Sequence, residues 1–415
     1  MNRAVLVSIV IPTHNRSRYA MHAIANVLSI PSDEIQLVVH DSSDDDALEQ
    51  WVVAREEDHR LTYRHVHDLL SMTDNHNAGV ALAVGDYVCL IGDDDGVTPE
   101  IIEAARWAKA HNVDALTPRL AAVYCWPDFR TRLLGDRHAA RLYIGKFSGV
   151  MRVADVRKAL KDCLRQACQE PGDLPKIYHG IVRRTCLEAV RKAAGAYFFG
   201  VSPDVSGAVA LAPRILRHVI VDYPLTIPGA SGGSNTGRSA MQTHKGSLSD
   251  DPHMRRFAQV VWPDLVPRFF SVETVWAQAG LEALRLTQQD VHIKEFDYTK
   301  LHAMCLWSHP EYAPTILRNF YGVTKARRGN LAAGLGSLLV GLGKVAGTRF
   351  AYWVKRLAHP TAGGGRDVIE NVPNIEASGR ALQTYLSRKG RSLSSLLTRA
   401  GEIDMPALVR PKDRN

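Results

Sequence analysis

The sequence predicts an α/β fold: a mostly parallel central sheet flanked by helices, followed by a helical C-terminal extension. Three observations carry this. Over the first 120 residues short β-branched runs alternate with helical patterns. The runs are almost continuously apolar, as strands covered on both faces must be. Polar clusters stand directly after the first, second and fourth runs, where ligands bind in open parallel sheets.

The strands are expected at Val5–Ile11, Ile35–His40, Leu61–His65, Tyr87–Ile91 and Val113–Leu116, and the intervening helices at Arg18–Leu28, Asp45–Glu57, Ala78–Val84 and Pro99–His111. The last helix has a capping Thr98, a proline at its first position and Glu100 at its positive end. Further on, helical stretches near Val150–Cys168 and Thr185–Ala193 precede a loop at Tyr197–Asp204, a helix at Val205–Leu211 and a strand at His218–Val221. A Gly/Ser-rich stretch spans Gly229–Gly246, and from 251 the pattern is mainly helical. No 20–50-residue period repeats, which excludes a solenoid.

With 415 residues, the chain has room for two to three domains at about 150 residues each. Three regions are expected: 1–125, 126–250 and a basic helical 251–415. A hydrophobic share of 46% and a charged share of 23% exclude a disordered tail, a collagen-like fibre and a multi-span membrane protein. The net charge of +8 is unevenly spread: residues 1–125 carry 9 Lys+Arg against 19 Asp+Glu, and residues 313–415 carry 17 against 6. An acidic front suits a cation and a basic rear suits phosphates or an anionic membrane surface. No helix-turn-helix, zinc or aromatic-basic pattern accompanies the basic pI, so no nucleic acid is expected. Six sparse cysteines and the lack of a secretory leader point to a reducing, cytoplasmic compartment.

The segment Leu331–Val345 is apolar and glycine-rich, with Lys325, Arg327 and Arg328 before it and Arg349, Phe350, Tyr352, Trp353, Lys355 and Arg356 after. It admits three readings: a buried helix or hairpin, an interfacial helix held by basic and aromatic flanks, or a span, for which about 20 apolar residues are needed.

The strongest chemical signal is Gly92-Asp93-Asp94-Asp95-Gly96 after an apolar strand. Three carboxylates in one turn repel one another unless a cation shares them, and an oxygen donor set of this kind suits Mg2+ or Mn2+. The plain alternative is a solvated turn that caps a helix. Asp204 opens a helix after a loop, where it would cap.

Taken in order, Val7–Arg16, Val38–Asp44, Asp74–Val80 and Ala83–Asp95 resemble the family 2 glycosyltransferases of the GT-A fold, whose central sheet is Rossmann-like. The resemblance is close over about residues 5–120, loose over 195–245 and absent from the last 165 residues. It implies a metal-dependent, inverting transfer of a sugar from a nucleoside diphosphate donor, a UDP-sugar favoured, to a hydroxyl of a glycan or lipid-linked acceptor. On this resemblance Pro12, Thr13, Asn15 and Arg16 line the nucleotide, Asp41 reads the base, and Asn75 and Asn77 approach the ribose and diphosphate. Asp93 and Asp95 form the D-x-D pair beside Asp94, with Asp95 the direct ligand of Mn2+ or Mg2+. Asp204 is the base, although Pro203 stands where the family usually has a second acid. His244 follows as a third metal contact, and Arg238 or Lys245 meets phosphate. His179 lines the acceptor cleft or is simply packed. The Q-x-x-R-W signature of processive synthases is absent, which favours single addition. The competing readings are an inactive nucleotide-sugar-binding module and, further off, a sugar nucleotidyltransferase. The latter lacks its glycine-rich loop after the first strand. A peripheral position at the inner face of a membrane follows from the basic rear.

Overall fold

The computed structural model describes residues 4–55, 57–249, 254–257, 260–327, 329–358 and 364–400. The N-terminal half alternates as expected: β1 (Val7–Thr13), α1 (Ser17–Leu28), β2 (Ile35–Asp41), α2 (Ala47–Val53), β3 (Leu61–His65), α3 (Met72–Ala81), β4 (Tyr87–Leu90), β5 (Gly96–Val97), α4 (Glu100–Ala110) and β6 (Ala115–Pro118). β7 (Ala122–Cys125), β8 (Arg141–Ile144), β9 (Met151–Ala154), α5 (Val156–Arg165), β10 (Ile181–Arg183), α6 (Arg184–Ala194), α7 (Pro203–Leu211) and β11 (His218–Val221) follow. The main sheet runs β3-β2-β1-β4-β10-β6-β11-β9. Pairing makes six strands parallel, with β10 and β9 reversed. The predicted fold class is thus the observed one.

Strand alternation sends apolar side chains to both faces. Val10, Val38, Val88 and Leu90 meet α3, α5, α6 and α7 on one side. Ile9, Ile11, Leu37, Val39 and Cys89 meet α1 and α4 on the other. Register aligns Thr13 with Asp41 and Asp41 with His65, so the carboxyl ends of β1, β2 and β3 form one polar edge.

Two local expectations need correction. The third helix begins at Met72, earlier than Ala78, because Ser71 caps it by accepting from the Asp74 N–H at 3.1 Å. Its buried face is polar (Thr73, Asn75, His76), which hides the helical period. Within Val150–Cys168, Met151–Ala154 pairs with β11 as an edge strand before Asp155 caps α5.

β12 (Thr226–Ile227), β13 (Gly229–Ala230), α8 (Asn235–Ala240) and β14 (Lys245–Gly246) occupy the Gly/Ser-rich stretch. The chain then forms β15 (Phe270–Ser271), α9 (Val272–Leu286), α10 (Tyr298–Ser308), α11 (Ala313–Ala326), α12 (Leu331–Ala358), β16 (Asp367–Ile369), α13 (Ile375–Arg388) and α14 (Leu393–Ala400). The rear of the chain returns to the front: β16 pairs with β8, and Ile375, Leu382 and Leu393 join the core beneath α1 and α4.

The apolar segment is neither a hairpin nor a buried helix. α12 is a 28-residue helix whose first 21 residues are long and apolar enough to cross a membrane, and only 11% of that window is buried. One stripe, Leu338 and Val345, packs on Ala303 and Phe320. Gly341 permits the approach, since a Cβ there would stand 3.1 Å from that of Ala303. Leu335, Leu339, Val340 and Phe350 face outward, with Leu339 69% exposed. Of the basic and aromatic flank, Arg328 and the side chains of Tyr352, Trp353, Lys355 and Arg356 lie outside the described residues.

Candidate active site

The three aspartates lie beyond the carboxyl end of β4, and all three are buried. Asp93 accepts from the Thr13 hydroxyl at 2.7 Å and from Arg16 Nε at 2.7 Å. Arg16 Nη2 also lies 2.9 Å from Asp94 Oδ2, which takes the Ser231 hydroxyl at 2.6 Å. One buried guanidinium thus bridges two of the three carboxylates. Burial lowers the pKa of Arg16, and the charges of Asp93 and Asp94 more than restore it, so it stays cationic. Its Nη1 is buried without a hydrogen-bond partner, next to the position a Cβ of Gly233 would take.

Asp95 is held by three donors, with an imidazole beside them. The Gly229 N–H gives to Oδ1 at 2.6 Å; Oδ2 accepts the Gly92 N–H at 2.7 Å and the Tyr178 hydroxyl at 2.9 Å, and His179 Nε2 stands 3.3 Å away. Backbone pairing builds this arrangement. Leu90 N–H donates to the Ile177 carbonyl and His179 N–H to that of Leu90, so residues 177–179 run beside the end of β4. Glycine is required at 229, where a Cβ would come within 1.8 Å of the Asp94 carbonyl oxygen. Burial pushes the His179 imidazole down to about 3, so it is neutral. With Nδ1 beside the Thr226 hydroxyl, the consistent tautomer donates from Nε2 to Asp95. His179 therefore positions the carboxylate cluster and does not line an open acceptor cleft.

Even with Arg16 present, the carboxylates are poorly compensated. Desolvation pushes Asp94 up to about 7 against the pull of Arg16, with Asp95 and Asp93 adding repulsion. Desolvation likewise pushes Asp95 up to about 6, against the Gly229 and Gly92 N–H groups and the Tyr178 hydroxyl. Hard oxygen donors carrying uncompensated negative charge fit Mg2+ or Mn2+.

Asp204 opens α7 with its side chain exposed. The surrounding protein, followed by the Asp95 charge, pushes its carboxyl up to about 6. Because water reaches the side chain, part of that lift is screened. Tyr178 is raised by burial first and then by the charges of Asp95, Asp204 and Asp94 together, so the triplet and Asp204 share one electrostatic neighbourhood.

The remaining sequence-predicted residues divide. Pro12 and Thr13 end β1, and Asn15, at φ +55°, bonds the Asp44 side chain and backbone. Asp41 is fully buried, holding the Ser43 N–H and hydroxyl on Oδ1 and the Tyr63 hydroxyl on Oδ2. Asn75 ties His40 to the Thr13 carbonyl. Asn77 spends its amide on the Tyr197 and Phe198 N–H groups and the Phe198 carbonyl, so it fixes the loop that leads to Asp204.

His244 is not brought to the triplet. β14 pairs with β15, which draws the end of the loop toward the C-terminal helices. There His244 meets Ser239 and Phe270 and lines a separate cavity of about 600 Å³ with Glu273, Trp307 and His309. Lys245 pairs with Glu311, and Arg238 lies over Phe270. The residues of this stretch that do reach the carboxylates, Gly229 and Ser231, were not singled out by sequence. Nor was Tyr178, 83 residues from its partner Asp95.

Residues 8–151 match the family described as Glycosyl transferase family 2. WcaA of Escherichia coli (strain K12), named as a glycosyl transferase of colanic acid biosynthesis, is 35% identical over 101 residues, 24% of this chain and 36% of its own. Glycosyltransferase GlyG of Streptococcus pneumoniae serotype 4 is 26% identical over 99 residues, 24% of this chain and 33% of its own. The chain thus spans about a third of the length of these relatives. Among solved structures, S. aureus TarS 1-349 in complex with UDP-GlcNAc aligns over 93% of each chain at 15% identity with a TM-score of 0.44.

The segment that resembles this family contains the aspartate triplet and Arg16, while Asp204 lies beyond the match.

Proposed function

We propose that this cleft moves a sugar from a nucleoside diphosphate donor to a hydroxyl of a glycan or lipid-linked acceptor, with inversion at the anomeric carbon. The observation that carries the reading is the buried carboxylate triplet bridged by Arg16, whose Nη1 lacks a partner, in electrostatic reach of Asp204. An unpaired buried donor costs about 1–3 kcal/mol, which a diphosphate oxygen would recover.

In the proposed reaction the acceptor O–H attacks the anomeric carbon as the bond from that carbon to the diphosphate oxygen breaks. The bonding pair leaves with the diphosphate, and the acceptor proton passes to the Asp204 carboxylate. Arg16 stabilises the departing charge from a fixed, desolvated position. Asp93, Asp94 and Asp95 would hold Mg2+ or Mn2+, which supplies neutralisation of the diphosphate. Ser231 and Gly229 tie the covering loop to the triplet.

The acceptor reading places the enzyme at the inner face of an anionic membrane. The outward leucines of α12 and the basic residues Lys325, Arg327 and Arg349 support it. Titration of UDP, GDP and dTDP with and without Mn2+ tests the donor half. Metal-dependent binding that disappears in Asp95→Ala is expected. Nucleotide binding indifferent to both metal and Asp95 would overturn the reading.

A further inference from the structure

Away from the aspartate triplet, at the far carboxyl edge of the sheet, two histidines and two carboxylates converge. His65 ends β3, His67 follows two residues later, Asp46 precedes α2 and Glu49 lies in its first turn. Asp46 Oδ1 stands 3.7 Å from His65 Nδ1 and 3.9 Å from His67 Nε2, and Glu49 Oε2 is 3.3 Å from His65 Nδ1. One ligand atom each from Asp46, His65 and His67 fits within 4.8 Å of the others.

Two features distinguish this group from a chance surface cluster. Asp46 occupies the N-cap position of α2, where an aspartate ordinarily accepts from the helix N–H groups. Its carboxylate makes no such bond and stands against the two imidazoles instead. The His65 ring is buried, and its Nε2 lies 3.1 Å from the Ser43 carbonyl. Nε2 donates to that carbonyl, while Nδ1 faces the carboxylates of Glu49 and Asp46. Two carboxylates gathered at one ring nitrogen call for positive charge there, which a second ring proton or a bound cation supplies. An imidazole with one nitrogen donating to a backbone carbonyl and the other turned to carboxylates is also the arrangement that second-shell bonding imposes on metal-bound histidine.

We infer that Asp46, His65 and His67, with Glu49 as a fourth donor, form a binding site for a zinc-class transition ion, separate from the oxygen-only triplet. Two imidazoles with carboxylates suit Zn2+ or Co2+ and disfavour Mg2+. Through Ser43, whose N–H and hydroxyl hold Asp41, an ion here would fix the loop from Asp41 to Asp46 at the edge of the cleft. This inference does not depend on the proposed reaction.

The test uses the full chain, stripped with EDTA and titrated with Zn2+ against a chromophoric chelator. The wild type should take up one Zn2+ that excess Mg2+ does not displace. His67→Ala, at a position 71% exposed and so harmless to folding, should weaken it by about tenfold or more, as should His65→Ala. Asp95→Ala should retain it, and Co2+ should give the visible absorption of a low-symmetry nitrogen-oxygen site. Equal affinity in wild type and His67→Ala, or loss of the ion in Asp95→Ala, would overturn the assignment. If a proton alone bridges the cluster, no Zn2+ is taken up and the inference fails.

Discussion

Replacing Asp94 by Asn should stabilise the ligand-free enzyme at pH 8 while abolishing its use of the donor. Burial holds the Asp94 carboxyl near 7 in the folded chain against its ordinary 3.8. Between about pH 4 and 7 the unfolded chain releases a proton that the folded chain keeps, so folding stability falls as pH rises through that window. Above it the full penalty stands. A lift of about three units at about 1.36 kcal/mol each is on the order of 4 kcal/mol. Asp94 and Asp95 share their repulsion, so their two lifts do not add. At about 2.1 cal/mol/K of unfolding entropy per residue, a chain of 415 shifts by about 1 °C per kcal/mol.

Thermal unfolding in EDTA should therefore show Asp94→Asn melting about 4 °C above wild type at pH 8 and only about 2 °C above it at pH 5. Mn2+ should raise the wild-type midpoint more at pH 8 than at pH 5, because protons compete for the ligands, and should leave the variant unmoved. A variant destabilised equally at both pH values, or an Mn2+ effect independent of pH, would refute the assignment of uncompensated charge to this turn.

Other perturbations follow from the same geometry. Arg16→Met strands Asp93 and Asp94 without their shared cation; urea unfolding at pH 8 should show a loss of about 3–5 kcal/mol. Asn77→Ala unpairs the backbone at Tyr197 and Phe198 and should cost about 1–3 kcal/mol. It should also lower kcat more than donor affinity, as initial rates and calorimetric titration would show. Leu339→Glu with Val340→Glu changes exposed positions and should leave the melting temperature nearly unchanged. The same pair of changes should abolish co-sedimentation with vesicles containing anionic lipid; retained sedimentation would remove α12 from the membrane account.

The strands were legible because their residues are apolar on both faces, and periodicity marks such runs directly. α3 was not, because its buried positions Thr73, Asn75 and His76 are polar and their partners lie elsewhere in the chain. The triplet announced itself by charge in one turn, but its neutralisation by Arg16, 77 residues away, depends on how β1 and β4 lie side by side. Tyr178, His179 and Ser231 arrive by backbone bridges and loop packing that no local pattern encodes. His244 shows the reverse case, since its place in chain order suggested a ligand and the β14–β15 pairing carries it elsewhere. Composition revealed α12 as apolar, yet only tertiary packing shows which stripe is covered.

In the proposed reaction Asp204 removes the acceptor proton beside a nucleotide diphosphate held at the triplet. The most direct test of that step compares wild type and Asp204→Asn for nucleotide binding and for sugar transfer or slow donor hydrolysis with Mn2+. Expected are unchanged binding, turnover lower by about 10²–10⁴-fold, and a wild-type rate that falls toward acidic pH as Asp204, its carboxyl raised above the ordinary carboxylate range, protonates. Wild-type turnover rates in Asp204→Asn would contradict it.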